Sequence, residues 1–199
     1  KAIGEIVHFQ GEAYGPVVLK PKGDSWRSKP SDGGGCLFDY ASHVLNLVQG
    51  VLGNTKEVLA SVLKPIHSKS VDDAVYAMLR LDSGLAGTIM VNWSDDTHRK
   101  MTTSITLAGT EGKIYCDATE IRVFLRNARP DLGLEKGWTV RYITELATPV
   151  DFYLRGEEYS DQLSSFVDAV QAKRPAEVNT FAEGLATDKT IRMILEKAA

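Results

Sequence analysis

The sequence predicts an α+β domain built on a largely antiparallel open sheet with helices packed on one face. Two observations carry this. Extended runs follow one another through the middle of the chain, linked by short glycine-bearing turns, and the helical patterns are set apart, one before those runs and two at the end. The clearest link is Asp82-Ser83-Gly84, which joins residues 74–81 to residues 85–93 as a hairpin.

Residues 3–14 alternate, with Val7 and Phe9 on one side and His8, Gln10 and Glu12 on the other, as a half-buried strand requires. A polar connection over 15–33 leads to a helix over 35–52. There Leu37, Phe38, Tyr40, Ala41, Val44, Leu45, Leu47, Val48, Val51 and Leu52 surround the axis. A helix apolar nearly all round is buried, so its polar stripe is expected to face an internal cleft. Val58, Ala60 and Val62 mark the next strand. In the hairpin, Val75, Ala77, Leu79, Ile89 and Val91 are expected to face the helices, and Tyr76, Met78, Thr88 and Met90 the other side.

Strands over 101–108 and 113–117 are separated by Gly109-Thr110-Glu111-Gly112, and two more are expected at 120–126 and 139–146. The intervening loop from Asn127 to Trp138 contains Pro130, Gly133 and Gly137, and reads as a lid or a long surface connection. Residues 158–173 place Tyr159, Leu163, Phe166, Val167 and Val170 on one stripe before Pro175. Thr180 and Glu183 form a capping box for a final helix through Leu195.

Composition excludes several classes. With 199 residues and 43% hydrophobic content the chain suits one domain with a substantial core. A net charge of −3 without basic clusters argues against nucleic acid or a membrane surface as partner. No apolar run approaches the roughly 20 residues that span a bilayer, and no signal peptide opens the chain. Cys36 and Cys116 make no disulfide framework and read as small core residues in a reducing cytoplasm.

The chemistry-bearing stretch is W-R-S-K-P-S-D-G-G-G-C-L-F-D-Y-A-S-H, residues 26–43. Asp39 and His43 are four apart and share a helix face. Histidine titrates in the range useful to a general base, so His43 is the candidate catalytic base, with Asp39 orienting it or binding a neighbouring substrate hydroxyl. Gly34 and Gly35 lack side chains and let backbone approach a bound molecule. Trp26 and Arg27 are candidate substrate contacts, one by stacking and the other by gripping hydroxyls or an anion. Trp93 and Tyr153 could line the same cleft, whereas His8, His67 and His98 receive no role. Asp39 and His43 could ligate a metal, but no paired spacing supplies further ligands, and no metal is expected.

These residues, followed by an apolar helix, resemble the substrate domain of the Gfo/Idh/MocA family of nicotinamide-dependent oxidoreductases, which includes glucose-fructose oxidoreductase and inositol dehydrogenase. The opening I-G-E-I-V-H-F, the hairpin, the turn L-A-G-T-E-G-K-I-Y and the closing D-Q-L-S-S-F-V-D-A-V and T-F-A-E-G-L-A-T-D-K-T-I fall in that domain's order. The resemblance implies a fold like the C-terminal domain of glyceraldehyde-3-phosphate dehydrogenase. It also implies a sugar or polyol substrate and a homodimer or homotetramer formed through the open sheet face. The family's Rossmann fingerprint and Glu-Lys-Pro motif do not occur in this sequence, and Lys20-Pro21-Lys22 reads as surface. Residues 1–199 are therefore expected to be one C-terminal substrate-binding and oligomerisation domain of a two-domain enzyme. NAD or NADP would be bound mainly by the other domain, and the chain alone would be inactive. The alternative is a non-catalytic sugar-binding regulator or oligomerisation module of the same fold.

Overall fold

The computed structural model describes residues 2–20, 25–146 and 157–198. Eight strands occur among them: β1 (Ile6–Tyr14), β2 (Thr55–Lys64), β3 (Ala74–Leu81), β4 (Ala86–Asn92), β5 (Thr102–Gly109), β6 (Gly112–Asp117), β7 (Glu120–Leu125) and β8 (Gly137–Tyr142). The helices are α1 (Ser42–Leu52), entered through a π-helical turn over Leu37–Ala41, a single turn α2 (Ile143–Leu146), α3 (Glu157–Gln171) and α4 (Phe181–Ala198). All strands join one sheet in the order β2-β3-β4-β1-β5-β6-β7-β8. β1 pairs with β4 in parallel, and every other neighbouring pair is antiparallel. This is the expected α+β architecture.

Helices α1 and α4 cover the face formed by Phe9, Ala13, Val75, Leu79, Ile89 and Val91, all fully buried. Each of the larger of these side chains contributes about 1.5–3 kcal/mol on burial. Contact with α1 is close at Gly11, where a β-carbon would fall 2.5 Å from Val44 Cγ1. The hairpin faces are those the alternation predicts, and Tyr76 and Met78 stand 42% and 46% exposed on the opposite side. Polar contacts fasten α4: Gln49 donates to Thr190 Oγ1 at 2.7 Å, and Ser61 Oγ donates to the Ile194 carbonyl at 2.8 Å. The Thr180–Glu183 box forms in both directions, Thr180 N to Glu183 Oε2 at 2.7 Å and Glu183 N to Thr180 Oγ1 at 3.2 Å.

Five local readings are corrected. Val7, expected on the side of Phe9, is 57% exposed while Phe9 is fully buried, because the pairing of β1 with β5 shifts register between Ile6 and His8. The strand expected to reach residue 146 ends at Tyr142, because its partner ladder ends at Glu120; Ile143 N turns instead to the Thr119 carbonyl, 2.8 Å away. In β2 the register shifts between Val58 and Ala60, so Val58 is buried while Val62 is 48% exposed. The loop expected to run to Trp138 ends earlier, because β8 begins at Gly137, and within it Arg129 and Leu134 form a bridge around the 3-10 turn Pro130–Leu132. The regular helix expected from residue 35 begins as a π turn, and its polar stripe faces outward rather than into a cleft of this chain. Phe38 is 42% and Val51 55% exposed, and His43, Asn46 and Gly50 are exposed with them. Tyr153 lies outside the described residues.

Candidate active site

The segment before the glycines folds into two short turns. Ser25 Oγ accepts from Arg27 N at 3.4 Å and caps the turn Trp26–Ser28, and a second turn, Pro30–Asp32, ends at Gly33 with φ 77°. The chain then doubles back: Gly34 N donates to the Lys29 carbonyl at 2.9 Å and Gly35 N to the Arg27 carbonyl at 3.2 Å. A β-carbon on Gly34 would meet the Arg27 and Trp26 carbonyl oxygens at 2.5 and 2.6 Å. Gly35 has φ +116°, and a β-carbon there would lie 2.6 Å from Asp72 Oδ1. The close approach that these glycines allow is thus to the chain's own backbone and to a carboxylate.

This return places Trp26 and Arg27 over the helix entrance. Arg27 Nε donates to Asp39 Oδ2 at 2.7 Å, and the Arg27 guanidinium lies 4.5 Å from the centroid of the Trp26 ring. Trp26, Arg27 and Asp39 therefore form one stacked and ion-paired unit, with Asp39 only 18% exposed in its side chain. His43 follows one turn later and is exposed, while its neighbours Val44 and Leu45 are fully buried. The structure brings Asp39 to Arg27, with no hydrogen bond from Asp39 to His43 among the described residues. An imidazole exposed on an anchored helix can meet a ligand arriving from outside this chain.

Sequence reasoning missed the two residues beneath the site, Asp72 and Asp73. The Asp72 carbonyl accepts from Cys36 N at 2.9 Å, and its Oδ2 accepts from Leu37 N at 2.7 Å. Burial pushes the Asp72 carboxyl up from the usual range despite these N–H contacts. Asp73 is fully buried, and its carboxylate accepts from the backbone of Ile66, His67 and Ser68, from Ser68 Oγ and from Trp93 Nε1, all at 2.6–2.7 Å. Burial pushes its pKa up, but the Ser68 and Trp93 hydrogen bonds outweigh this and hold it below the ordinary value. Trp93 is therefore core, packed edge-on to Tyr40 with ring centroids 6.4 Å apart. Tyr40 is 3% exposed and its hydroxyl has no partner among the described residues; burial first, then the Asp39 charge, raises its pKa to about 12. A paired Asp-Asp directly before an alternating strand was the available signal.

Hollows of about 610 and 500 Å³ lie against α4, the first lined by residues including Gln49, Thr55 and Lys189, the second by Phe38, Ile191 and Leu195. Neither of these two is lined by Asp39 or His43, and His43 itself is exposed. Among the described residues no group of three or more His, Cys, Asp or Glu could hold a metal ion, and no helix is long and apolar enough to cross a membrane. Cys36 and Cys116 are free thiols; burial raises both, Cys36 well above its ordinary range.

Among solved structures, the chain is similar to levoglucosan dehydrogenase in complex with NADH and L-sorbose, at a TM-score of 0.83 and 22% identity, covering 99% of this chain and 57% of that one. An NAD binding oxidoreductase from Klebsiella pneumoniae matches at a TM-score of 0.80 and 22% identity, with the same coverages of 99% and 57%. At these identities the likeness is one of fold. An uncharacterized protein of Saccharomyces cerevisiae is 36% identical over 81 residues, 40% of this chain and 23% of that protein. The chain thus spans little more than half the length of the structural relatives, and its match covers 23% of the yeast protein. The family model of the GFO/IDH/MocA C-terminal domain matches residues 1–115 of the 199. With more than half of its length matched, the chain belongs to the Gfo/Idh/MocA family.

Proposed function

We propose that this chain is the substrate-binding and oligomerisation domain of a two-domain, nicotinamide-dependent oxidoreductase acting on a sugar, a polyol or a sugar derivative. The observation that carries the reading is the presentation of His43: an exposed imidazole on a helix whose next residues, Val44 and Leu45, are fully buried, beside the Trp26–Arg27–Asp39 unit. NAD or NADP is assigned to residues outside this chain. Gly34 and Gly35, filled by the chain's own carbonyls and by Asp72, offer no dinucleotide cradle here. That cofactor would supply the hydride acceptor. His43 takes the proton of the substrate hydroxyl. Asp39 holds Arg27 in place, and the guanidinium nitrogens that Asp39 does not engage address neighbouring substrate oxygens. Gly34 and Gly35 act by letting the loop fold back so that Trp26 and Arg27 stand at the site.

The open sheet face carries exposed Tyr76, Met78, Trp138, Val140 and Tyr142, and we assign it to a homodimer or homotetramer contact. Two free cysteines fit a reducing cytoplasm. One observation favours a second reading, a non-catalytic sugar-binding regulator or oligomerisation module: Asp39 pairs with Arg27 and is not hydrogen-bonded to the imidazole.

The test is turnover of sugars and polyols with NAD and NADP by the longer protein that carries a nucleotide-binding domain, with this chain alone alongside as an inactive control. His43→Asn is expected to lower turnover roughly 100-fold to 10,000-fold while leaving cofactor affinity unchanged. Wild-type turnover in that variant would remove His43 from the reaction.

A further inference from the structure

Asp72 reaches the candidate site from the loop between β2 and β3, 35 residues from the amide that its side chain holds. Its carbonyl takes Cys36 N and its carboxylate takes Leu37 N, so one residue occupies two successive N–H groups at the entrance to the helix. The other carboxylate oxygen lies 2.6 Å from where a β-carbon on Gly35 would stand, an approach open only because residue 35 is glycine. The anchor behind it is rigid. Asp73 N donates to the Lys64 carbonyl at 2.8 Å, Trp93 N donates to the Asp73 carbonyl at 3.1 Å, and the buried Asp73 carboxylate pins Ser68 and Trp93.

Immediately after this double attachment the chain makes its π turn, Leu37–Ala41, with Asp39 at its centre. A π turn takes an additional residue into one turn, so reverting it to α geometry rotates one side of the junction against the other by about 100°, the angle of one residue. Downstream, α1 cannot turn, because Val44 is seated against Gly11. The rotation would fall on Leu37–Asp39 and swing the Asp39 carboxylate away from Arg27.

We propose that Asp72 is a positioning residue: by holding the amides of Cys36 and Leu37 it maintains the π turn that brings Asp39 to Arg27 beside His43. The proposal rests on the reading of this stripe as the site of proton transfer. It concerns a residue that touches no reacting group and acts only through the helix entrance.

The experiment compares Asp72→Ala and Asp72→Asn in the longer protein, with kcat and KM measured separately and amide hydrogen exchange followed at Cys36 and Leu37. Asp72→Ala should lower kcat roughly 10-fold to 100-fold, the scale of a misplaced reacting group, and speed exchange at Leu37 about tenfold or more. Asp72→Asn, whose amide oxygen still accepts from Leu37 N, should restore kcat to within roughly threefold and restore protection with it. If Asp72→Ala does not fold, Asp72→Ser, with a shorter acceptor, takes its place and should fall between the two. Wild-type kcat and unchanged Leu37 exchange in Asp72→Ala would overturn the proposal, as would an Asp72→Asn variant no better than alanine. Should His43→Asn remain fully active, the reading of the stripe fails by itself, and the exchange at Leu37 still decides whether Asp72 holds the turn.

Discussion

Two helices of this chain carry an apolar stripe at helical spacing, and the fold treats them in opposite ways. On α1, Val44, Leu45 and Val48 are fully buried against the sheet and α4. On α3, Tyr159 is 50%, Phe166 60%, Val167 46% and Val170 59% exposed, and the residues buried there are the small Ser160 and Ala169. Periodicity thus identifies the face that seeks cover, whereas the neighbour that covers it is a property of the assembled sheet. For α1 that neighbour is visible in one detail: Gly11 on β1 has no side chain where Val44 arrives. Nothing comparable meets the outer stripe of α3 among the described residues.

The largest effect that would sharpen this contrast is a cavity on the α1 side. Leu45→Ala removes a fully buried side chain from a core closed by two helices and the sheet. It should cost about 2–5 kcal/mol in urea denaturation of this chain. A loss near zero would mean that α1 is not anchored as the geometry requires, and the rigid presentation of His43 would fall with it.

An intermediate effect is expected at Asp73, beneath the anchored half. Its carboxylate takes five donors. Burial raises the carboxyl pKa, yet the Ser68 and Trp93 hydrogen bonds more than reverse this, so the folded pKa lies below the unfolded one. The unfolded chain therefore protonates first as pH falls. The contribution is complete above about pH 4 and is lost as pH falls through the lower folded value. Asp73→Asn turns an NH2 group toward donors and should cost about 1–3 kcal/mol at neutral pH. Urea midpoints at pH 7 and pH 3 should show the gap to wild type narrowing in acid. An equal gap at both would show that the charge contributes nothing.

Much of the architecture was legible locally. Alternation in β1 from Phe9 onward and in the β3–β4 hairpin assigns the buried face residue by residue, because one sheet face packs and the other does not. The Thr180–Glu183 box is equally local, its two hydrogen bonds lying within three residues. What could not be read depends on distant partners. The amide at the start of the π turn is held by Asp72, far along the chain; the bulge in β2 is set by its pairing with β3; and the end of β8 by where β7 begins. The site divides in the same way. Asp39 and His43 stand out through their spacing on one helix. That Asp39 would be taken by Arg27, and that Gly34 would be filled by the carbonyls of Trp26 and Arg27, follows from a loop doubling back over twelve residues.

The smallest expected effect lies on α3, and its smallness is informative. Phe166 and Val170 stand 60% and 59% exposed, so in the chain as folded here they contribute little packing. Phe166→Ser together with Val170→Ser should shift the stability of this chain by about 0.5 kcal/mol or less, the range usual for exposed positions. Because the proposed subunit contact is the open sheet face around Tyr76 and Met78, the same double variant should leave the mass measured by light scattering at that of the dimer or tetramer. A loss of several kcal/mol would place the α3 stripe in the core of this domain and erase the contrast with α1. A fall to monomer with stability intact would move the subunit contact from the sheet to α3, and a wild-type chain already monomeric at tens of micromolar would remove the sheet contact altogether.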